Sequence, residues 1–134
     1  MSPDPAGYLI ANVRVLHNEE RDGERWVSII RGYVAETADL REVFALRVAE
    51  PMAAGDNLDA ALLAICEHVY LVTNADFDVL NPTDEQLARQ YRAKQVRSLS
   101  VGDVVLIELP DATHAFTVAV IGMQPIATPV LATT

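Results

Sequence analysis

The sequence contains a single cysteine, Cys66, among 134 residues, so no disulfide can form within the chain. It also lacks a basic cluster followed by an apolar run at its start, which is the pattern of a secretory signal peptide. These two absences predict a cytoplasmic location. The long apolar stretch Leu58–Val72 carries Asp59, Glu67 and His68 and is too short to cross the ~30 Å hydrocarbon core of a bilayer. It predicts a core helix and no membrane association.

Basic residues are scarce, since 10 Lys and Arg stand against 19 Asp and Glu and give a formal net charge of −9. No Lys or Arg occurs between Val48 and Ala88. Affinity for nucleic acid depends on Lys and Arg that release counterions, so this composition argues against direct nucleic-acid binding. An acidic surface instead attracts basic partners. The acidic residues of this stretch are Glu50, Asp56, Asp59, Glu67, Asp76, Asp78, Asp84 and Glu85.

A short basic run follows the acidic stretch and consists of Arg89, Arg92, Lys94 and Arg97. Without a glycine-rich loop or interleaved aromatic residues, this run is a weak phosphate site. It can face the acidic middle of the chain, or the same surface of a second copy. The second alternative predicts a homodimer.

The first third of the chain predicts two strands and a short helix. Tyr8–Leu16 alternates between apolar and polar positions, and Trp26–Ala35 is expected to return as its hairpin partner. Asp39 then has the spacing of an N-cap for a helix over Leu40–Val48, which Pro51 is expected to end.

The remaining pattern predicts two further helices and a second hairpin. Apolar spacings of three and four make Leu58–Val72 the most buried helix, and Thr83 is expected to cap a surface helix that ends near Ala93. The nearly continuous apolar run Val104–Leu109 is typical of a central strand covered on both faces, and Ala115–Gly122 is expected to pair with it.

Together these elements predict a single α+β domain over residues 1–134, with loose ends at 1–7 and 125–134. The sheet is expected to be mostly antiparallel, built from an N-terminal and a C-terminal hairpin, with two or three helices packed on one side. A chain of this length is sufficient for one hydrophobic core.

Few residues suggest catalysis. Cys66 and His68 stand two apart on a predicted helix and therefore point to different sides, so they cannot act as a nucleophile and base pair. His17 and His114 lie in predicted hairpin loops, where solvated side chains are the favoured interpretation and proton transfer or metal binding the alternative. We therefore predict no enzyme activity, no cofactor and no metal.

The loop after the long helix carries Asp76 and Asp78, which invite comparison with a calcium loop. Counting from Asp76, the sixth position is Asn81, where an EF-hand needs Gly, and the twelfth is Leu87, where it needs Glu. A loop that leads into a helix cap accounts for these residues. Asp76 and Asp78 remain candidate contacts of the acidic surface.

The segment Arg97–Asp103 leads into the predicted central strand. Leu99 and Val101 are expected to point inward, and Asp103 is placed to accept backbone amides at the turn. This structural interpretation is the favoured one. As a binding hypothesis, the segment presents a polar patch to a ligand or partner, made of Arg97, Ser98, Ser100 and Asp103.

Three segments resemble the YodL-like domain family, which consists of small domains encoded in bacterial genomes, plasmids, phages and integrative elements. The similar segments are Asp39–Leu46 (DLREVFAL), Arg97–Val105 (RSLSVGDVV) and Phe116–Gly122 followed by Met123. The resemblance implies a compact α+β accessory domain of mobile elements that acts as an interaction module. It implies no catalytic residues.

Two functional hypotheses remain open. The first is a non-enzymatic interaction module, encoded by a phage or plasmid, that binds a host protein through the acidic stretch Val48–Ala88. The alternative is an acidic decoy that occupies the nucleic-acid-binding site of a DNA-binding or restriction protein, and such binding should weaken as salt rises.

Overall fold

The computed structural model describes residues 7–23, 25–52 and 57–129. The strands are β1 (Tyr8–Asn18), β2 (Arg21–Asp22), β3 (Arg25–Trp26), β4 (Leu40–Pro51), β5 (Val104–Glu108), β6 (Thr113–Val118) and β7 (Met123–Ile126). The helices are α1 (Ser28–Arg31), α2 (Leu58–Asn74) and α3 (Pro82–Ala93), with a 3-10 turn at Phe77–Val79. The chain forms one α+β domain, as predicted.

Five strands form an antiparallel sheet in the order β4-β1-β5-β6-β7, and β2 pairs with β3 in a separate ribbon. The predicted strand at Val104–Leu109 is confirmed as β5, the middle strand, and its pairing with the following strand is confirmed. Val105 and Ile107 face the core beneath α2, while Val104 and Leu106 face a smaller cluster with Tyr33 on the other side. The expectation of a strand covered on both faces is therefore correct.

The predicted partner of β1 is wrong. Trp26–Ala35 was expected to form that strand, but Arg25–Trp26 is a two-residue strand and Ser28–Arg31 is one helical turn. Gly32 adopts a φ of +78°, which breaks an extended run because residues with a side chain rarely adopt this conformation. The strand that pairs with β1 is β4.

The predicted helix at Leu40–Val48 is also wrong, because these residues belong to β4. Its pairing with β1 shifts where Val15 faces Phe44 and Leu16 faces Glu42, which leaves Val43 as the extra residue of a β-bulge. The bulge buries Val43 and Phe44 although they are adjacent. Leu40, Val43 and Phe44 thus acquire the spacing of a helical face within a bulged strand.

Helix α2 confirms the prediction for Leu58–Val72, and it covers the core through Leu62, Ile65, Cys66 and Val69. Asn57 caps it by accepting a hydrogen bond from the Asp59 backbone N–H, 2.8 Å away. The sequence also predicts that Gly55, Asp56 and Asn57 open this helix; of these, Gly55 and Asp56 lie outside the described residues.

Helix α3 begins two residues earlier than predicted. Its cap is Asn81 in place of Thr83, because the Asn81 side chain accepts from the Asp84 N–H at 2.8 Å and Pro82 takes the first helical position. Ala88 and Tyr91 are buried against the core.

Part of the predicted loose end at 125–134 is a strand. Residues 1–6 and 130–134 lie outside the described residues, whereas Pro125 and Ile126 belong to the edge strand β7. Within the described ranges, no helix combines the length and apolarity that a membrane span requires.

Candidate functional site

The predicted polar patch is organised around Asp103, and the structure turns this residue inward. Its carboxylate is 0% exposed. Oδ1 accepts from the Asn18 backbone N–H at 2.8 Å and from Arg97 Nη2 at 2.7 Å. Oδ2 accepts from the Ser100 N–H at 2.7 Å and from Arg97 Nη1 at 2.5 Å. The expectation that Asp103 accepts backbone amides is met.

The regular pairing of β1 with β5 ends at Leu16 and Val104, and hydrogen bonds of Asn18 and Asp103 join the two chain segments beyond that point. Asn18 Nδ2 donates to the Gly102 carbonyl at 3.1 Å, and the Asp103 carboxylate accepts a hydrogen bond from the Asn18 backbone N–H. Gly102 adopts a φ of +90°, so its lack of a side chain lets the chain turn into β5. Asp103 therefore stabilises the junction from inside and offers no contact to a ligand.

Arg97 is the exposed half of this buried ion pair. Its two bonds to the carboxylate are bidentate, and hydrogen bonding to Asp103 raises the pKa of the guanidinium. Nη2 also donates to the Asn18 carbonyl at 3.3 Å. Ser98 is exposed and Ser100 half-buried. The structure thus brings the predicted residues of this segment together, and it commits Arg97 to the interior network.

His17 lies beneath this junction and not in a loop, so the interpretation as a solvated side chain is wrong. Its Nε2 lies 2.9 Å from the Tyr91 hydroxyl, which itself donates to the Arg97 carbonyl. Because that hydroxyl has one proton, His17 Nε2 is the donor of this hydrogen bond. Burial is the main cause that lowers the pKa of His17, and the Arg97 and Arg41 charges act in the same direction against that of Asp103.

The other candidate chemical groups are dispersed. Burial raises the pKa of the Cys66 thiol to about 12, so the thiol stays protonated at neutral pH. His114 lies within β6 and not in a loop. His68 Nε2 is 2.7 Å from Asp84 Oδ1, which fastens α2 to α3. In the described ranges, no three His, Cys, Asp or Glu residues converge on a position that could hold a metal ion.

Asp76 and Asp78 are exposed at the 3-10 turn, and neither side chain takes part in the hydrogen bonds of Asp103 described above. Asp76 stands at the cap position of the turn but its side chain makes no cap hydrogen bond. The neighbouring Phe77 ring is covered by the guanidinium carbons of Arg89 and Arg92, at 4.1 and 4.3 Å from its centroid. The basic run thus packs partly on this aromatic ring.

A surface that sequence reasoning missed lies where the β6–β7 hairpin meets α2. Val120 and Ile121 form the hairpin tip and are 85% and 86% exposed. A cleft of about 300 Å³ beside them is lined by Glu67 and Tyr70 of α2 and by Met123 of β7. We call this set, Glu67, Tyr70, Val120, Ile121 and Met123, the hairpin–helix surface.

The cleft continues along α2 on the other side of Met123. There, Asp59 and Leu63 of α2 face Pro125 and Ile126 across a groove of about 500 Å³. Asp59 and Glu67 are exposed, and neither forms an ion pair with a described residue. The groove therefore has an apolar floor and an acidic rim.

The outer edge of β7 is poorly suited to strand pairing. The Ala119 N–H donates to the Gly122 carbonyl at 2.9 Å, and hydrogen-bonded pairs alternate along an antiparallel ladder. The pair Phe116 and Pro125 therefore belongs to the non-bonded set, which turns the nitrogen of Pro125 outward. Since proline has no N–H, an added strand would lack a donor on this short edge, so side chains are the main means by which this surface recognises a partner.

No family model, curated protein or solved structure matches this chain. The resemblance to YodL-like domains therefore stays a prediction, and functional arguments rest on the geometry of the surface. The sequence signal for that surface was the β-branched pair Val120–Ile121 directly before Gly122, which was included in the expected strand.

Proposed function

We propose that this protein is a non-enzymatic interaction module that binds a partner protein through the hairpin–helix surface. The observation that carries the proposal is the exposure of Val120 and Ile121, at 85% and 86%, on the tip of an ordered hairpin. Hairpin turns favour Gly, Asn, Asp and Ser, and β-branched apolar residues have no local role there. A partner that covers these side chains supplies the missing stabilisation.

The geometry defines the chemistry of that partner. An apolar side chain that enters the cleft contacts Tyr70 and Met123, while a Lys or Arg next to it reaches the unpaired carboxylate of Glu67. Further along the groove, Asp59 offers a second acidic contact. The partner segment is therefore apolar with flanking basic residues, in keeping with the net charge of −9.

The resemblance to domains of phages and plasmids makes a host protein the expected partner. Part of the proposed contact lies in the acidic stretch Val48–Ala88, through Glu67 of the hairpin–helix surface and Asp59 of the adjoining groove. It adds the hairpin tip, which lies outside that stretch. Burying two β-branched side chains supplies most of the binding free energy, about 1.5 to 3 kcal/mol for each.

Selection of random short peptides displayed on phage, with the immobilised protein as bait, tests this chemistry directly. We expect enriched peptides that combine aromatic or aliphatic residues with Lys or Arg. The double variant Val120→Ser/Ile121→Ser should lose them at least about tenfold. The matched control is Ile30→Ser, which removes another apolar side chain that is 68% exposed. Equal peptide binding by all three proteins contradicts the proposal.

The acidic decoy has less support. Of the acidic residues in Val48–Ala88, Asp84 is buried beside His68, and Glu85 pairs with Arg89 at 2.9 Å. The described carboxylates that remain exposed are divided between α2 and the 3-10 turn, namely Asp59 and Glu67 on α2 and Asp76 and Asp78 at the turn, so few are available to imitate DNA phosphates. Affinity for the selected peptides should therefore fall only modestly between about 0.05 and 0.5 M salt, whereas a decoy would lose its partner over that range.

A further inference from the structure

The outer edge of β4 presents backbone groups that no described residue pairs with. β4 spans 12 residues and lies at the end of the sheet opposite β7. The Met52 N–H donates to the Gly7 carbonyl at 2.8 Å, and alternation along the ladder then sets which residues bond to β1. Ala45, Arg47 and Ala49 belong to the non-bonded pairs, so their N–H and C=O groups point away from β1.

The bulge at Val43 extends this open row to Glu42. Glu42 lies opposite Leu16 of β1, and Leu16 faces Val104 of β5 in a pair of the bonded set. The backbone of Glu42 must therefore also point away from β1. Glu42 and Arg47 project from the same face of the sheet, because their β1 partners Leu16 and Asn12 are separated by an even number of residues.

The side chains at this edge leave room for another strand. Ala45, Arg47 and Ala49 are exposed, and two of the three are the smallest chiral side chain. Arg47 forms no ion pair with a described residue, whereas Glu42 pairs with Arg14. An exposed edge of this length, with an unused cation at its middle, is a template for strand addition.

We propose that β4 pairs antiparallel with β4 of a second copy, about a two-fold axis at Ala45. In this register Ala45 faces the partner subunit's Ala45, and Phe44 faces the partner subunit's Leu46 on the helix side. Because each strand carries the same bulge at Val43, Glu42 faces the partner subunit's Arg47 on the opposite side. The contact is isologous, so the pair of Glu42 with the partner subunit's Arg47 forms twice.

The charges of Glu42 and Arg47 favour this register, and they favour a second copy of the chain as the partner. An axis at Arg47 would overlap the open row more fully, but it places two guanidinium groups directly opposite each other, which is destabilising. The axis at Ala45 instead gives each Arg47 a carboxylate that the chain itself supplies. Pairing also ends before Pro51, whose missing N–H closes the row. The short length of β7 and its outward Pro125 disfavour further pairing at the other edge of each sheet, so we expect the assembly to stop at two copies.

Sedimentation velocity over about 1 to 200 µM protein, with two charge variants, tests the proposal. The wild-type chain should dimerise. Arg47→Glu places Glu opposite Glu42, and Glu42→Arg places Arg opposite Arg47, so each variant alone should dimerise about tenfold more weakly. An equimolar mixture should recover dimers, because each variant then meets the opposite charge. Recovery on mixing cannot come from misfolded protein.

Lys94→Glu is the matched control for Arg47→Glu, since it makes the same change in net charge at the exposed residue that follows α3. It should dimerise as the wild type does. A monomeric wild type at the highest concentration overturns the proposal, as does a mixture that remains monomeric. Equal weakening by Lys94→Glu also overturns it, because net charge and not the register would then control association.

Discussion

The two edges of the sheet are built in opposite ways. β7 has four residues and turns the nitrogen of Pro125 outward, whereas β4 has 12 residues and turns outward the complete backbone groups of Ala45, Arg47 and Ala49. Proline and short length are two means by which proteins protect sheet edges. Of these two edges, β4 is the better suited to accept a strand.

The difference separates two kinds of recognition within one small domain. At β4 the backbone itself is available, and the geometry favours a contact that repeats by symmetry. At the β6–β7 hairpin Pro125 removes an outward donor, and recognition depends mainly on the exposed side chains Val120 and Ile121. A partner protein and a second copy can therefore bind at opposite ends of the same sheet without competing.

The largest expected effect comes from proline substitutions at adjacent positions of β4. Leu46→Pro removes an N–H that points to Val13 and a partly buried side chain, so the free energy of unfolding should fall by about 4 kcal/mol or more. Ala45→Pro removes an outward N–H and should lower it by about 1 kcal/mol. Urea denaturation measures both, with Leu46→Ala as the control for lost packing.

Equal losses for Ala45→Pro and Leu46→Pro, after the packing control is subtracted, would mean that the alternation of inward and outward residues is assigned incorrectly. Dimerisation gives a second readout for Ala45→Pro. The variant should remain folded and become monomeric, because the substitution lies at the proposed two-fold axis.

A smaller effect is expected from reopening the edge of β7. Pro125→Thr restores an outward N–H at an exposed strand position, and it is best examined in the Arg47→Glu background, where the β4 edge is blocked by charge. We expect weak self-association, with a dissociation constant on the order of 100 µM, in sedimentation experiments. A strictly monomeric double variant would show that the short length of β7, and not its proline, protects this edge.

The elements predicted correctly are those whose apolar pattern fits only one type of secondary structure. Leu58–Val72 has apolar residues at helical spacing over several turns, and Val104–Leu109 is a continuous apolar run, so both were placed correctly. β4 was missed because the bulge at Val43 imitates the spacing of a helix. A bulge depends on the neighbouring strand, which local periodicity cannot contain.

The candidate site likewise has features that the sequence predicted and features that it did not. The role of Asp103 as an amide acceptor followed from its position after Gly102, since this chemistry is local. The exposure of Val120 and Ile121 did not follow, because in sequence an apolar pair simply continues a strand. Only the tertiary structure shows that no core lies within reach of the hairpin tip.

The smallest expected effect is a loss of amide exchange protection in acid that is greater at the β4 edge than at the β7 edge. His17 lies opposite Arg41 of β4, and burial lowers its pKa below 6.5, so the unfolded chain takes up this proton more readily. Its contribution to stability is complete above about pH 6.5 and declines as the pH falls toward the lowered value. Amide exchange protection at pH 5 relative to pH 7 should therefore decrease more at Arg41, whose N–H points to His17, than in the β6–β7 hairpin. His17→Gln keeps a donor for the Tyr91 hydroxyl and removes the titration, so the difference between the edges should disappear. Equal loss of protection at both edges in the wild type would instead mean that acid acts on the sheet as a whole.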